Sequence, residues 1–535
     1  MELSDKEKSL LFWGSFLSLM AAGVGFVFRS MVPALWGSHF QVSDTEVGAL
    51  FGAGLWPIAI MMILFSLIVD KVGYRISMYI ALVLQVVSVV GTVMATSYDG
   101  LWWACIAAGL GHGVVEAIIN PLCASMYRQD KSKMLNILHA SWPAGLVCGG
   151  LVYYVIYRSE QSWEVAQGVF WFMLIPVAAY GVMFSLVKRF PVDERIDNNV
   201  SMLEMLKEFG GLGAFLAVTF LSYEISTQLG LFGDSRLLVC FGIGVLGGVA
   251  FGGGLKALGK PLFFILCVIM IPLAAAELAT DGWIRKLMEP TLGENATLAL
   301  VTSAGIMMVL RFFAGVPLKY LSPPALLLVS SVFSIVGLFA LSAAEGAGII
   351  IAFVLYAIGQ TFYWPTVLGF VAEQFPKGGA MTLNTVSAMG LLTVGIFGFP
   401  FLGAVQDAQN AQTIQQAQPA LMAKVAAESR TFGDSKKPIV EQKQLFGVKY
   451  SAVNTGAVMA QPEFPADQKT VVEGELAKTG RATLRVAAVL PAIMAVAFGL
   501  MVIWYKSRGG YQPVVLERGA ARKEGEEPEF APAFQ

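Results

Sequence analysis

Apolar residues in this chain gather into long runs separated by short polar breaks. About 20 apolar residues in a row are enough for a helix to cross the hydrocarbon of a bilayer. Runs of that length lie near 9–36, 46–69, 76–97, 100–127, 134–157 and 165–187, and a polar stretch at 188–207 follows them. Two further runs, near 211–230 and 237–257, precede a last set near 261–284, 297–318, 324–343, 346–373, 379–404 and 484–505. The pattern predicts an all-α integral membrane protein of 14 transmembrane helices, two six-helix halves with an inserted helix pair between them. It divides the chain into an N-terminal half (1–190), a cytoplasmic linker (191–210), the inserted pair (211–258), core helices seven to eleven (259–404), a long extracytoplasmic loop (405–483), the last core helix (484–506) and a cytoplasmic tail (507–535).

Charge tests that count, because short cytoplasmic segments carry an excess of Lys and Arg. With the N-terminus inside, 20 basic residues fall in inside segments and tails, among them Lys71, Arg75, Lys131, Lys319, Lys377 and Arg518, Arg522 and Lys523. Short outside loops hold only Arg158, Arg236, Arg285 and Lys286. An odd number of helices between Lys207 and Lys256 would invert the second half and spoil the bias, so charge supports the inserted pair. The loop at 405–483 is polar and rich in Ala and Gln; it reads as partly helical or disordered decoration, not as a folded domain.

Composition narrows the class. The chain is 56% hydrophobic and 14% charged, where a soluble domain carries about 25% charged residues. Its 56 glycines suit membrane helices that approach closely. A net charge of −1 gives no sign of a nucleic-acid partner. Cys105, Cys123, Cys148, Cys240 and Cys267 lie in apolar runs without metal-ligand or CxxC spacing and read as buried spectator thiols. The first apolar run is too long for a signal peptide and is expected to stay as the first spanning helix. No metal, cofactor or catalytic constellation is visible: the phosphate-binding G-x-x-x-x-G-K-[ST] is absent, and His112 and Glu116 lack the second His of an H-E-x-x-H site. Trp36, Trp102, Trp103, Trp163, Trp283 and Trp504 fall near predicted helix ends and read as interface anchors. Gly244, Gly248 and Gly252 form a small-residue stripe expected to pack the second inserted helix on its partner.

Between the second and third helices stands Asp70-Lys-Val-Gly73-Tyr-Arg75. This resembles the D-x-x-G-x-R/K part of the major facilitator superfamily signature, at the inside turn where that family carries it; the family's leading Gly is Ser66 here. Gly73 would permit the turn, Arg75 would anchor to lipid phosphate, and Asp70 would meet a helix N-terminus or an Arg. A related run, Arg311-Phe-Phe-Ala-Gly315-Val-Pro317-Leu-Lys319, resembles the degenerate repeat of that signature in the second half, with Arg311 as a gate or structural lock close to the inside turn. The inserted pair looks like that of the fourteen-helix members. Glu116-Ala-Ile-Ile-Asn120-Pro121, followed by Leu135-Asn136, also resembles fucose-permease-like sugar symporters. That resemblance implies Glu116 as the proton-coupling carboxylate and Asn120 and Asn136 near the sugar. The chain departs from that group in carrying Arg29 where those symporters use an Asp, and His139 and Trp142 in place of amides.

Polar groups at membrane depth are candidates by default, because an ionisable side chain at the bilayer centre costs about 2.5–3.5 kcal/mol on insertion scales. His112, Glu116 and Asn120 are four apart and share one helical stripe; the stripe suits a group that gains and loses a proton, or else a structural Glu116–Arg29 pair. Asn136, His139 and Trp142 are three apart in the fifth core helix, and Gln360 and Trp364 repeat amide and indole in the tenth. Together with Arg29 and Glu277 they are the expected substrate ligands, facing one central cavity. Glu277 and Asp281 share a face in the seventh core helix.

The expectation is a secondary transporter of the cytoplasmic membrane, a monomer with both termini inside, that moves a small polar solute, a sugar in the first instance, together with protons. A nucleoside, peptide or drug stays open as substrate, and Arg29 would fit an anionic one. A membrane enzyme acting on lipid-linked sugars, which would place catalytic carboxylates at the membrane surface, and a transport-dead sensor are the rival classes.

Overall fold

The computed structural model describes the chain except residues 1–2, 41–43, 158–161, 283, 285–295, 347, 433–436 and 517–535. Trp283, Arg158, Arg285, Lys286, Arg518, Arg522 and Lys523 therefore lie outside the described residues. Among those described, 13 helices are long and apolar enough to cross a membrane, and a shorter apolar one, Leu300–Phe312, stands in the remaining position.

The N-terminal half holds α1 (Asp5–Met31), α2 (Asp44–Ala53 and Trp56–Val72), α3 (Tyr74–Val93), α4 (Tyr98–Met126), α5 (Lys131–His139 and Ser141–Tyr157) and α6 (Trp163–Leu186). The inserted pair is α7 (Met202–Gln228) and α8 (Arg236–Leu255). The second half holds α9 (Pro261–Gly282), α10 (Ala296–Phe312), α11 (Pro323–Ala343), α12 (Gly348–Gln360 and Tyr363–Gln374), α13 (Pro376–Ala417) and α14 (Ala466–Lys506). The two halves meet where α5 packs on α10 and α12 and where α2 packs on α13. At Gly369 of α12 an added Cβ would stand 2.5 Å from Ser132 Cα, so glycine lets the two backbones touch across the interface.

The glycine stripe of α8 packs on α7: Cβ atoms added at Gly248 and Gly252 would lie 2.8 Å from Gly211 O and 2.9 Å from Gly211 Cα. The opposite side of α8, with Leu238, Leu246 and Val249, is exposed. Two of the expected interface tryptophans, Trp36 and Trp163, are buried instead, while Trp103 and Trp504 are exposed. Cys148 is exposed on its helix, unlike the other four thiols, which are buried as expected.

The region 405–483 is partly helical, as expected, but it also folds on a core of its own, against the expectation of no folded domain. The spans α13 and α14 are 42 and 41 residues long, about 60 Å each at 1.5 Å per residue, roughly twice the hydrocarbon thickness. Their far ends pair side by side through Gln406 Nε2 donating to Thr479 Oγ1 (2.7 Å) and Thr483 Oγ1 donating to Gln406 Oε1 (2.7 Å). Beyond the stalk, the helix Pro419–Ala427 and the hairpin Val440–Leu445/Val448–Val453 close around a core of its own, built from Ile414, Leu421, Val425, Ile439, Val458 and Phe464. The composition that suggested decoration, rich in Ala and Gln, is also helix-forming composition. A small folded cap results.

Candidate functional site

The signature turn is built as a set of pins around the linker. Gly73 takes φ 82°, a backbone conformation that a residue with a side chain adopts only under strain. Asp70 forms an ion pair with Arg195, on the short linker helix Glu194–Asp197. Burial raises the Asp193 carboxyl above its ordinary range, though Arg195 opposes the shift. Arg75 does not reach out to lipid: its Nη2 donates to Val187 O (2.6 Å) and Lys188 O (3.0 Å), and its guanidinium lies 5.3 Å from the Phe190 ring. It caps the carbonyl end of α6, where a cation meets unpaired C=O groups and the negative end of the helix dipole.

On the same face of the bundle, which carries the linker, the halves are tied together. Lys131 Nζ contacts Glu194 Oε2 (2.5 Å) and donates to Ala372 O (3.1 Å), while Ser132 bonds to Glu373. Asn136 Nδ2 donates to Thr366 Oγ1 (3.2 Å). Ser66, which replaces the family's leading Gly, accepts from Asn384 Nδ2 (3.0 Å), and the same amide donates to Ala117 O (3.0 Å). That departure from the signature is therefore a bond between the halves.

Deeper in, the α4 stripe forms a continuous network. Asn120 Nδ2 donates to Glu116 Oε2 (2.9 Å), His139 Nε2 pairs with Asn120 Oδ1 (2.8 Å), and His112 Nε2 stands 3.7 Å from Glu116 Oε1. The Glu116–Arg29 pair weighed from the sequence is not formed. Trp142 stacks on His112 at 5.3 Å and packs on Phe26 at 5.2 Å.

Arg311 joins this network to the second half. It lies in the last turn of α10, close to the inside turn as expected, and is 1% exposed. The turn after it spans residues 313–314, and Gly315 opens the short helix Gly315–Leu318, where an added Cβ would lie 3.3 Å from the Lys133 side chain. Nη2 of Arg311 meets Glu277 Oε1 (2.8 Å), Nη1 donates to His139 O (2.9 Å), and Nε donates to Thr361 O (2.6 Å). The two carbonyls have a common origin. A helix carbonyl normally accepts from the N–H four residues on, and a proline has none. The residues four beyond His139 and Thr361 are Pro143 and Pro365. Each half thus breaks a helix at a Trp-Pro pair, and one guanidinium takes up both freed carbonyls.

Glu277 completes the clamp. It sits in a π-helical turn, Ala275–Ala279, just after Pro272, and such turns re-aim a side chain by one residue. Its Oε2 accepts from the Trp364 backbone N–H (3.2 Å). Asp281 Oδ1 accepts from Gln360 Nε2 (2.9 Å), which also reaches Ser303 Oγ (3.0 Å). Trp364 packs flat into the second half, so that an added Cβ at Gly390 would lie 2.6 Å from its ring.

The site residues named from the sequence thus separate into two groups. Asn120, Asn136, His139, Glu277, Gln360 and Trp364 are buried and bonded to one another or to backbone. Arg29 and His112 instead line a narrow cleft in the N-terminal half with Phe26, Phe51, Gln85 and Met173, with a cavity volume of about 20 Å³. Gln85 was not singled out from the sequence. Its signal was a lone amide in an otherwise apolar run, weaker than a charge or a spaced motif.

The profile of the Major Facilitator Superfamily matches residues 11–404, well over half of the chain. The chain belongs to the major facilitator superfamily. No curated protein matches it. Among solved structures, it is similar to the E. coli fucose:proton symporter FucP (12% identity, 92% of this chain and 98% of that one, TM-score 0.54). It is also similar to the proton:xylose symporter XylE (16% identity, 76% and 90%, TM-score 0.53) and to the human organic anion transporter TETRAN (10% identity, 93% and 100%, TM-score 0.55). At these identities the likeness establishes the fold alone; membership of the superfamily makes the chain a multi-pass membrane carrier. The match ends at 404, so the cap lies outside it.

Proposed function

We propose that this protein is a secondary transporter that moves a small polar solute of sugar size across the cytoplasmic membrane together with protons, with both termini on the cytoplasmic side and as a monomer. The observation that carries the reading is the buried polar chain Glu116–Asn120–His139–Arg311–Glu277, which crosses from one half to the other at the middle of the bundle. Bonds that join the halves must be exchanged when the halves rock, and a proton is the smallest agent that changes their strength. Glu116 is the coupling carboxylate in this reading. It contacts an imidazole on one side and an amide on the other, and has no fixed cation to hold it ionised. Glu277, in contrast, is committed to Arg311. The fucose- and xylose-proton symporters with the same fold lend the sugar-and-proton reading its support.

Glu116→Gln tests it. Gln keeps the shape and the bond to Asn120 but cannot release a proton. In proteoliposomes the variant should lose uphill, pH-driven accumulation while retaining solute exchange at equilibrium. Active accumulation by the variant would remove Glu116 from coupling and leave Glu277 the next candidate.

A further inference from the structure

The cleft beside Arg29 has an unusual balance of polar groups. Arg29 spends Nη1 on Gly25 O (3.2 Å), a carbonyl of its own helix, and among the described residues no carboxylate lies within ion-pair distance of it. Gln85 is 1% exposed, and its Oε1 accepts from Tyr180 OH (3.1 Å) while its Nε2 has no partner. His112 Nε2 likewise has no hydrogen-bond partner, with Glu116 standing off at 3.7 Å. All three line one cleft; the Arg29 guanidinium and the Gln85 amide have donor capacity left over, and the His112 imidazole can donate in one tautomer. Its walls are otherwise apolar and aromatic, with Phe26 and Phe51 edge to face at 5.7 Å.

Uncompensated charge at membrane depth is expensive, and buried N–H groups without acceptors are each costly. A guanidinium, an unpaired amide N–H and an imidazole that can donate, all lining one space, describe a receptor for something negative and rich in acceptors. A neutral sugar would leave the charge unmatched. We propose that the solute carried at this site is a small organic anion, a hydroxylated carboxylate or phosphate ester. Its anionic group binds Arg29, Gln85 and His112, and its body lies against Phe26 and Phe51. The inference rests on the transport reading above and deepens it by naming the solute's charge.

The test uses the purified full-length protein in detergent, with gluconate, glucose 6-phosphate and glucose as probes. These share a carbon skeleton and differ in charge. Gluconate or glucose 6-phosphate, or both, should raise the melting temperature in a saturable way, and glucose should not. Arg29→Gln should weaken that binding by about tenfold or more, as expected for loss of a charged hydrogen-bonding partner, and Arg29→Lys should recover part of it. Without ligand, Arg29→Gln should melt at or above the wild-type temperature, because it removes an unpaired charge; a purely structural Arg29 would make it melt lower. The proposal is overturned if glucose stabilises as well as the anions, if neither anion stabilises, or if Arg29→Gln binds them unchanged. Proton-driven uptake of glucose without anion binding would overturn this inference alone. Anion binding without any proton-dependent uptake would instead remove the transport coupling and keep the site.

Discussion

Arg311 and Arg29 are both guanidinium groups carried deep in the bundle, and they are satisfied in opposite ways. Arg311 has a carboxylate and two carbonyls freed by proline, from both halves of the molecule. Arg29 has one carbonyl of its own helix and a cleft. A charge whose bonds are all filled by the protein holds a conformation. A charge left with donors to spare waits for a ligand. The same side chain therefore serves as clamp in one place and, on the proposal above, as receptor in the other, and the difference lies in the neighbours, not in the residue.

Removing the clamp should have the larger effect on stability. Arg311→Leu leaves Glu277 without its cation and two carbonyls without donors, so it should cost about 3–5 kcal/mol, as when one partner of a buried ion pair is deleted. Chemical unfolding in detergent micelles measures this. A loss below 1 kcal/mol would mean that water fills the gap and that Arg311 holds little together.

The two tryptophans of the Trp-Pro pairs extend the comparison to affinity. Trp364 packs in the second half against Gly390, so Trp364→Ala should reduce stability by about 3–5 kcal/mol and leave gluconate affinity nearly unchanged. Trp142 stacks on His112, which lines the cleft, and packs on Phe26, which also lines it, so through these two Trp142→Ala should weaken gluconate binding by about 1–3 kcal/mol. Titration calorimetry on both variants checks the split. Equal affinity losses would return both rings to one central cavity, as the sequence spacing suggested.

How much of this was legible in the chain depends on the kind of signal. Apolar runs and the Lys/Arg bias are set by the bilayer, so the fourteen-helix plan follows from composition over long windows. Asp70, Gly73 and Arg75 lay in a spaced motif, but Arg75 was assigned to lipid because its true partners, Val187 O and Lys188 O, are backbone groups over a hundred positions away. Arg311 lies near the inside turn as the motif implied, but its partners could not be read from its neighbours in sequence. Its position depends on two prolines in other helices, and no local pattern links them. Gln85 and Ser66 gained their roles from what faces them across the bundle. The cap at the ends of α13 and α14 was missed because helix-forming composition and linker composition overlap.

The smallest effect is expected at that cap. Replacing residues 418–468 by a short Gly/Ser segment, leaving the paired stalk of α13 and α14 in place, should keep gluconate uptake within about threefold, since loop closure depends only weakly on length. A well-inserted variant that no longer transports would make the cap a gate or a capture device.

In an alternating-access cycle the halves would separate at the linker face and close again. Ser132 on α5 and Glu373 on α12 bond across that face. Ser132→Cys with Glu373→Cys, in a cysteine-free background and joined by a short thiol-reactive cross-linker, should stop pH-driven uptake of labelled gluconate into proteoliposomes, and reduction of a cleavable linker should restore it. Uptake that continues at the wild-type rate with the two halves joined would contradict alternating access at this interface.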